Sequence, residues 1–317
     1  MSTEDDGYRS GLSTEDYHRL TGFAGDWRDT WWDDDFLAMM GRRWRLHEVS
    51  SVLDVGCGIG HWGQRLMRHL SADTQLVGVD AEESWVVDAR ERSVKLGLAE
   101  RSRYEVARAE SLPFADESFD MVTCQTLLMH VADPQVVVTE MVRVLRPGGV
   151  FVAAEPNNFG TTAGLLMGEP TLSWTDISDL LELAHTCARG KEALGEGWYS
   201  AGERVPSYLT ALGWDAVHTD QNNCCATRIP PYEELGARTS IDMMRTAVNS
   251  GAVMTLGGTP ENVRRYFIAG GGDPERLPQL IERQRKRDAE NLKALDEGKL
   301  VSAGGHIHHL VWGHKPG

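Results

Sequence analysis

Positive charge is scarce in this chain: 32 Lys and Arg stand against 47 Asp and Glu, a formal net charge of -15. So acidic a surface repels phosphate backbones and anionic lipid, and neither nucleic acid nor a membrane is expected as a partner. Cysteine is scarce too. The five (Cys57, Cys124, Cys187, Cys224 and Cys225) are odd in number and irregularly spaced, with no C-x-x-C among them. That argues against a disulfide framework and for a reducing, cytoplasmic setting. Neighbours Cys224 and Cys225 read as small half-buried side chains near a strand end. No apolar run approaches the roughly 20 residues of a membrane span. The N-terminal stretch MSTEDDGYRSGLSTEDY is too acidic and polar for a secretory signal. There is also no internal repeat.

What is present is enough hydrophobic material, 41% of 317 residues, for one α/β core with sizeable insertions. Residues 1–15 read as a disordered tail. Residues 16–47 interleave aromatics and charges and read as a helical segment leaning on the core. From residue 48 to 156 short apolar runs alternate with helical stretches. Strands are expected at 51–55, 75–80, 102–107, 119–124 and 149–155, with helices following the first glycine-rich turn, over 83–97 and over 134–145. Asp133 and Pro134 stand as N-cap and first turn of the last of these. This alternation predicts a parallel, doubly wound sheet. Residues 157–200 and 223–303 read as helical cap insertions, separated by a core continuation at 201–222. The run ERQRKRDAENLKALDE (282–297) reads as a solvated helix face. A final core strand is expected within 304–317.

The first strand leads into Asp54-Val55-Gly56-Cys57-Gly58-Ile59-Gly60. Glycines let the backbone turn tightly, so a ligand can approach the amides and the following helix N-terminus. The second strand ends in Asp80, where a carboxylate beside that loop can accept both hydroxyls of a ribose. Spacing by itself admits a dinucleotide or an adenosyl cofactor. The whole run from Val52 to Pro156, however, resembles the class I S-adenosylmethionine-dependent methyltransferases. VLDVGCGIG, VGVD, ARAESLPFADESFDMV, LLMHVADP and VLRPGGVFVAAEP are similar to that family's motifs and follow in the same order. The resemblance implies a Rossmann-like seven-stranded sheet whose last strand runs antiparallel between the fifth and sixth. It implies S-adenosylmethionine as cofactor. Asp54, Gly56, Gly58 and Gly60 would hold the methionine part, and Asp80 the ribose, with Ala81 also in the cofactor site. Ala109 and Glu110 would edge the adenine, with Gln125 and His130 on the methionine side.

Ligands of open α/β sheets bind at the carboxyl ends of the parallel strands. Under that topology three segments meet there: Glu155 to Asn158, Asp220 to Asn223, and Gly304 to His309. Strand side chains alternate, so on a strand beginning at His306 both His306 and His308 would share a face and could grip one metal ion, zinc or iron. Solvated, unliganded histidines are the plain alternative, and a general-base role for His306, His308 or Glu155 is a third. Length, cap position and a histidine-rich last strand resemble the α-keto acid C-methyltransferases. In that type a metal chelated by a 2-keto acid would favour the enolate, whose β-carbon takes the methyl group. Two rivals stand beside this: a metal-independent O- or N-methyltransferase of a small natural product, and a cofactor-binding regulator without transfer. A homodimer is left open.

Overall fold

The runs SVLDV and FDMVTCQ are buried on both faces, as inner strands of a parallel sheet must be. The computed structural model describes residues 27–169, 171–224, 226–251, 259–304 and 306–317. The expected tail at 1–15 and the first part of the 16–47 segment lie outside these residues. Two compact units are present. The first comprises Trp31–Asn157, Ser200–Cys224 and Ile307–Gly317. It opens with a short helix, α1 (Asp34–Arg43), whose N-cap Asp33 accepts a hydrogen bond from the Phe36 amide at 3.0 Å. Then come β1 (Ser51–Val55), α2 (His61–Leu66), β2 (Gln75–Asp80), α3 (Glu83–Lys95), β3 (Ser102–Val106), β4 (Phe119–Gln125), α4 (Pro134–Val144) and β5 (Leu145–Pro156). After the second unit's first segment the chain returns as α7 (Val205–Ala211), β6 (His218–Gln221) and finally β9 (His308–His314).

These strands form one seven-stranded sheet in the order β3-β2-β1-β4-β5-β9-β6. Strands β1 to β5 pair parallel, and β9 runs antiparallel to both β5 and β6, as the resemblance implied. The two edges are polar: β6 (HTDQ) is mostly exposed and β3 buries only Tyr104, which discourages edge-to-edge pairing. Asp133 caps α4 through the Gln135 and Val136 amides, with Pro134 in the first turn, as expected. The last strand begins two residues later than the sequence suggested.

The second unit groups the described residues of Met1–Thr30, Asn158–Tyr199 and Cys225–His306. It holds α5 (Asn158–Met167), α6 (Trp174–Ala193), α8 (Leu235–Ser250), α9 (Pro260–Ala269) and α10 (Leu277–Asp296), with a small antiparallel ribbon of β7 (Ala226–Arg228) and β8 (Ser302–Gly304). The ribbon was not expected from the sequence. Leu183, Cys187, Val263, Phe267 and Leu280 form its main apolar core. Helices α6 and α9 cross closely at Gly190 and Gly270, where a Cβ on either would overlap the other helix's backbone. Helix α10 is not a purely solvated face. Arg276 and Arg283 reach Asp179, which is nearly buried, and Arg287 pairs with Glu169. No described helix is long and apolar enough to cross a membrane.

Candidate functional site

The β1–α2 loop is built around positive φ angles that side chains disfavour: 65° at Gly56, 52° at Gly58 and 86° at Gly60. A Cβ at Gly56 would lie 2.5 Å from Leu127 Cδ1, so this loop packs against the segment following β4. Asp80, at the end of β2, ties the loop from the other side. Its Oδ2 accepts from the Gly58 amide at 2.8 Å and its Oδ1 from the Glu82 amide at 3.0 Å. Burial raises the Asp80 pKa above the ordinary carboxylate range, opposed by those amides.

Asp54 is buried beneath α2 and accepts from the Gly63 amide at 3.0 Å. Burial, with the Asp80 charge adding, pushes its pKa up to about 7. Its other oxygen, Oδ1, is buried with no hydrogen-bond partner among the described residues, and so is Nε2 of Gln125. Register puts Asp54 beside Thr123, and Gln125 two residues further along β4, so the three share a sheet face. That face therefore offers one buried acceptor and one buried donor. An amino-acid moiety, with its ammonium and carboxylate, presents the complementary pair. Trp62, which the sequence reading passed over, fixes α2 to this face: its Nε1 donates to Thr123 Oγ1 at 2.7 Å, and that hydroxyl donates to the Val152 carbonyl. A tryptophan directly behind a glycine loop was the available signal.

The other expected cofactor residues sit around the same strand ends with varied surroundings. Ala81 is exposed. Ala109 is buried and packs into the sheet core. Glu110 lies in the turn after β3 and meets Arg108 at 3.3 Å. His130 is exposed at the end of a 3-10 turn, Leu128–His130.

Glu155 and His308 are not brought together. Glu155 pairs with His309 and Pro156 with His308 across β5 and β9, so alternation sends Glu155 and His308 to opposite faces. Glu155 is wholly buried, and its Oε1 accepts from the Leu127 and Leu128 amides at 2.8 and 3.1 Å. Burial pushes its pKa up to about 7, the Leu128 and Leu127 amides opposing. The residue expected as a base is therefore placed to hold the loop that packs on Gly56.

His308 shares the face of Asp54 and Gln125. It is 1% exposed, 4.6 Å from the Trp31 ring and 5.8 Å from Trp32, ring centre to ring centre. Trp32 stands in turn 4.9 Å from Trp62. The Asn222 side chain accepts from the His308 amide at 2.8 Å and so anchors the strand's start. His306 precedes β9 and belongs to the second unit, so the alternation argument for an H-x-H on one strand does not apply to it. Burial and the charges of Arg28 and Arg228 push its pKa down to about 4. No group of three or more His, Cys, Asp or Glu poised for a metal occurs among the described residues.

A glycine cradle, a carboxylate beside it and a buried donor–acceptor pair at the carboxyl ends of parallel strands are an α/β arrangement that would suit a nucleoside-linked amino acid. Residues 46–210, from just before β1 through α7, match the family model described as a methyltransferase domain. That is just over half of the chain, and the protein belongs to this S-adenosylmethionine-dependent methyltransferase family. Among curated relatives, the methyltransferase GfsG of Streptomyces halstedii is 38% identical over 104 residues, covering 33% of this chain and 37% of that protein. The ubiquinone/menaquinone biosynthesis C-methyltransferase UbiE of Geobacter sulfurreducens is 35% identical over 122 residues, 36% of this chain and 48% of that one. The matches thus span a third to a half of these relatives' own length. A solved structure from Bacillus halodurans aligns over 89% of this chain and 99% of its own at a TM-score of 0.50 and 18% identity, a likeness of fold alone.

Proposed function

We propose that this chain is an enzyme transferring the methyl group of S-adenosylmethionine to a small-molecule acceptor. The observation that carries the reading is the buried pair on one sheet face, Asp54 Oδ1 and Gln125 Nε2, beside the Gly56–Gly60 cradle and Asp80. The cofactor, when bound, supplies an electrophilic methyl on a sulfonium that leaves as a neutral thioether. The chain's own part is then positioning and exclusion of water. Asp80 would hold the ribose, and the glycine loop with Asp54 and Gln125 the amino-acid end. Trp31, Trp32 and Trp62 line the same face and keep it apolar. His308 is on this face and could act as a base there, whereas Glu155 points to the other.

The finer reading, metal-assisted methylation of the β-carbon of a 2-keto acid, draws support from His308 alone. His306 is acted on by two guanidinium charges, Arg28 and Arg228, surroundings that favour an anion over a metal cation. That observation favours the second reading, metal-independent transfer to a small acceptor. The carbon-methylating relative UbiE matches over 36% of this chain and 48% of its own length, so the acceptor atom does not follow from it. The test is calorimetry with S-adenosylhomocysteine, followed by turnover on keto acids, phenols and amines with and without chelator. Saturable binding with chelator-insensitive turnover supports metal-independent transfer. Loss of turnover on chelation, restored by zinc or iron, returns the carbon-methylation reading. Failure to bind S-adenosylhomocysteine overturns both.

A further inference from the structure

The second unit contains a cavity of about 400 Å³ among β7–β8, α10 and the segment after α5. Three arginines line it: Arg228, Arg283 and Arg287. Two are neutralised in place, Arg287 by Glu169 and Arg283 by Asp176 and Asp179. Arg228 is not. Its Nε donates to Ser240 Oγ at 2.9 Å, and among the described residues it forms no ion pair. Its neighbours make this costly. Burial and the Arg287 charge lower its pKa, with Glu169 opposing. A half-buried guanidinium without a carboxylate is a group awaiting a counter-ion. A second, independent sign stands beside it. Ser302, directly paired with Arg228 across the β7–β8 ribbon, also lines the cavity. Its Oγ is buried with no hydrogen-bond partner among the described residues.

We propose that this cavity is a binding site for a small carboxylate, held by the Arg228 guanidinium and the Ser302 hydroxyl. Cross-strand partners project from the same side of a ribbon, so both donors face the same space. The guanidinium fork matches a carboxylate's two oxygens, and the hydroxyl supplies one further donor. Arg228 has no carboxylate of its own among the described residues, and the Glu169 carboxylate nearby disfavours a phosphate dianion. The site lies within the second unit and does not depend on the methyl-transfer reading.

The experiment uses the full chain, pyruvate as probe, constant ionic strength set with chloride, and titration calorimetry. Wild type binds saturably. Arg228→Met weakens binding by about tenfold or more, the scale of a lost charged hydrogen-bond pair. Ser302→Ala weakens it several-fold. Arg228→Lys, which keeps the charge and loses the fork, falls between wild type and Arg228→Met. Arg285→Met, an exposed cation on α10, binds as wild type does. S-adenosylhomocysteine binding, read on every variant, reports that the chain is folded and separates this site from the cofactor reading. The proposal is overturned if wild type shows no saturable pyruvate binding. Equal affinity in Arg228→Met and wild type also overturns it, as does tighter binding of inorganic phosphate than of pyruvate.

Discussion

Two carboxyls, one half-buried and one wholly buried, carry most of the residue-scale chemistry. Asp80 accepts from amides on both sides of the cofactor loop. Asp80→Asn replaces one acceptor oxygen by a donor. The Kd for S-adenosylhomocysteine is expected to rise about tenfold to a hundredfold, the scale of one charged hydrogen bond, as measured by calorimetry. Glu155 reports through pH. Its native pKa is raised from 4.5 to about 7, so the folded chain binds its proton more tightly than the unfolded one. The stability this contributes is present below about 4.5 and is lost as pH rises through 7. For Glu155 it amounts to roughly 3 kcal/mol at about 1.4 kcal/mol per pKa unit. Scanning calorimetry should show Tm falling from pH 5 to pH 8. Glu155→Gln should flatten that slope in part, because Asp54, raised in the same direction, keeps its share. An unchanged slope would remove Glu155 as its source.

At the scale of elements, the α6–α10 pairing was hidden in plain sequence. Asp176, Asp179 and Glu182 recur at helical spacing on α6, and Arg276, at the N-cap of α10, is followed by Arg283 and Arg287 on that helix. Either stripe alone reads as a solvated face. Only their meeting makes it an ion-pair seam, with Asp179 reached by Arg276 and Arg283 at 2.7 and 2.9 Å. Asp179→Ala would remove the carboxylate that Arg276 and Arg283 share while leaving Glu182 to the first and Asp176 to the second, and urea titration should show a loss of about 1 kcal/mol. The Gly190–Gly270 crossing is a second such case. Gly190→Ala removes the room for the Tyr266 carbonyl. The helices must separate, and a cost of about 1–3 kcal/mol is expected by the same titration.

Across the whole molecule, cofactor binding and charge set the conditions of stability. At a hundredfold excess over its Kd, S-adenosylhomocysteine should stabilise the fold by about 2.7 kcal/mol, read as a rise in Tm. A net charge of -15 repels itself, so Tm should also rise from low salt to about 0.15 M sodium chloride. The sheet and its cofactor loop were legible from residues alone, because apolar runs, glycines and caps act over a few positions. Strand bounds from β1 to β4 agree within a residue. The sequence by itself thus determined the parallel core, the glycine cradle and Asp80 beside it. Tertiary structure decided the rest. Whether Glu155 faces substrate or loop depends on its register against His309. Whether His306 joins His308 depends on β8 pairing with β7 and ending before β9 begins. Such choices are made between segments distant in the chain, and composition and local periodicity carry no record of them.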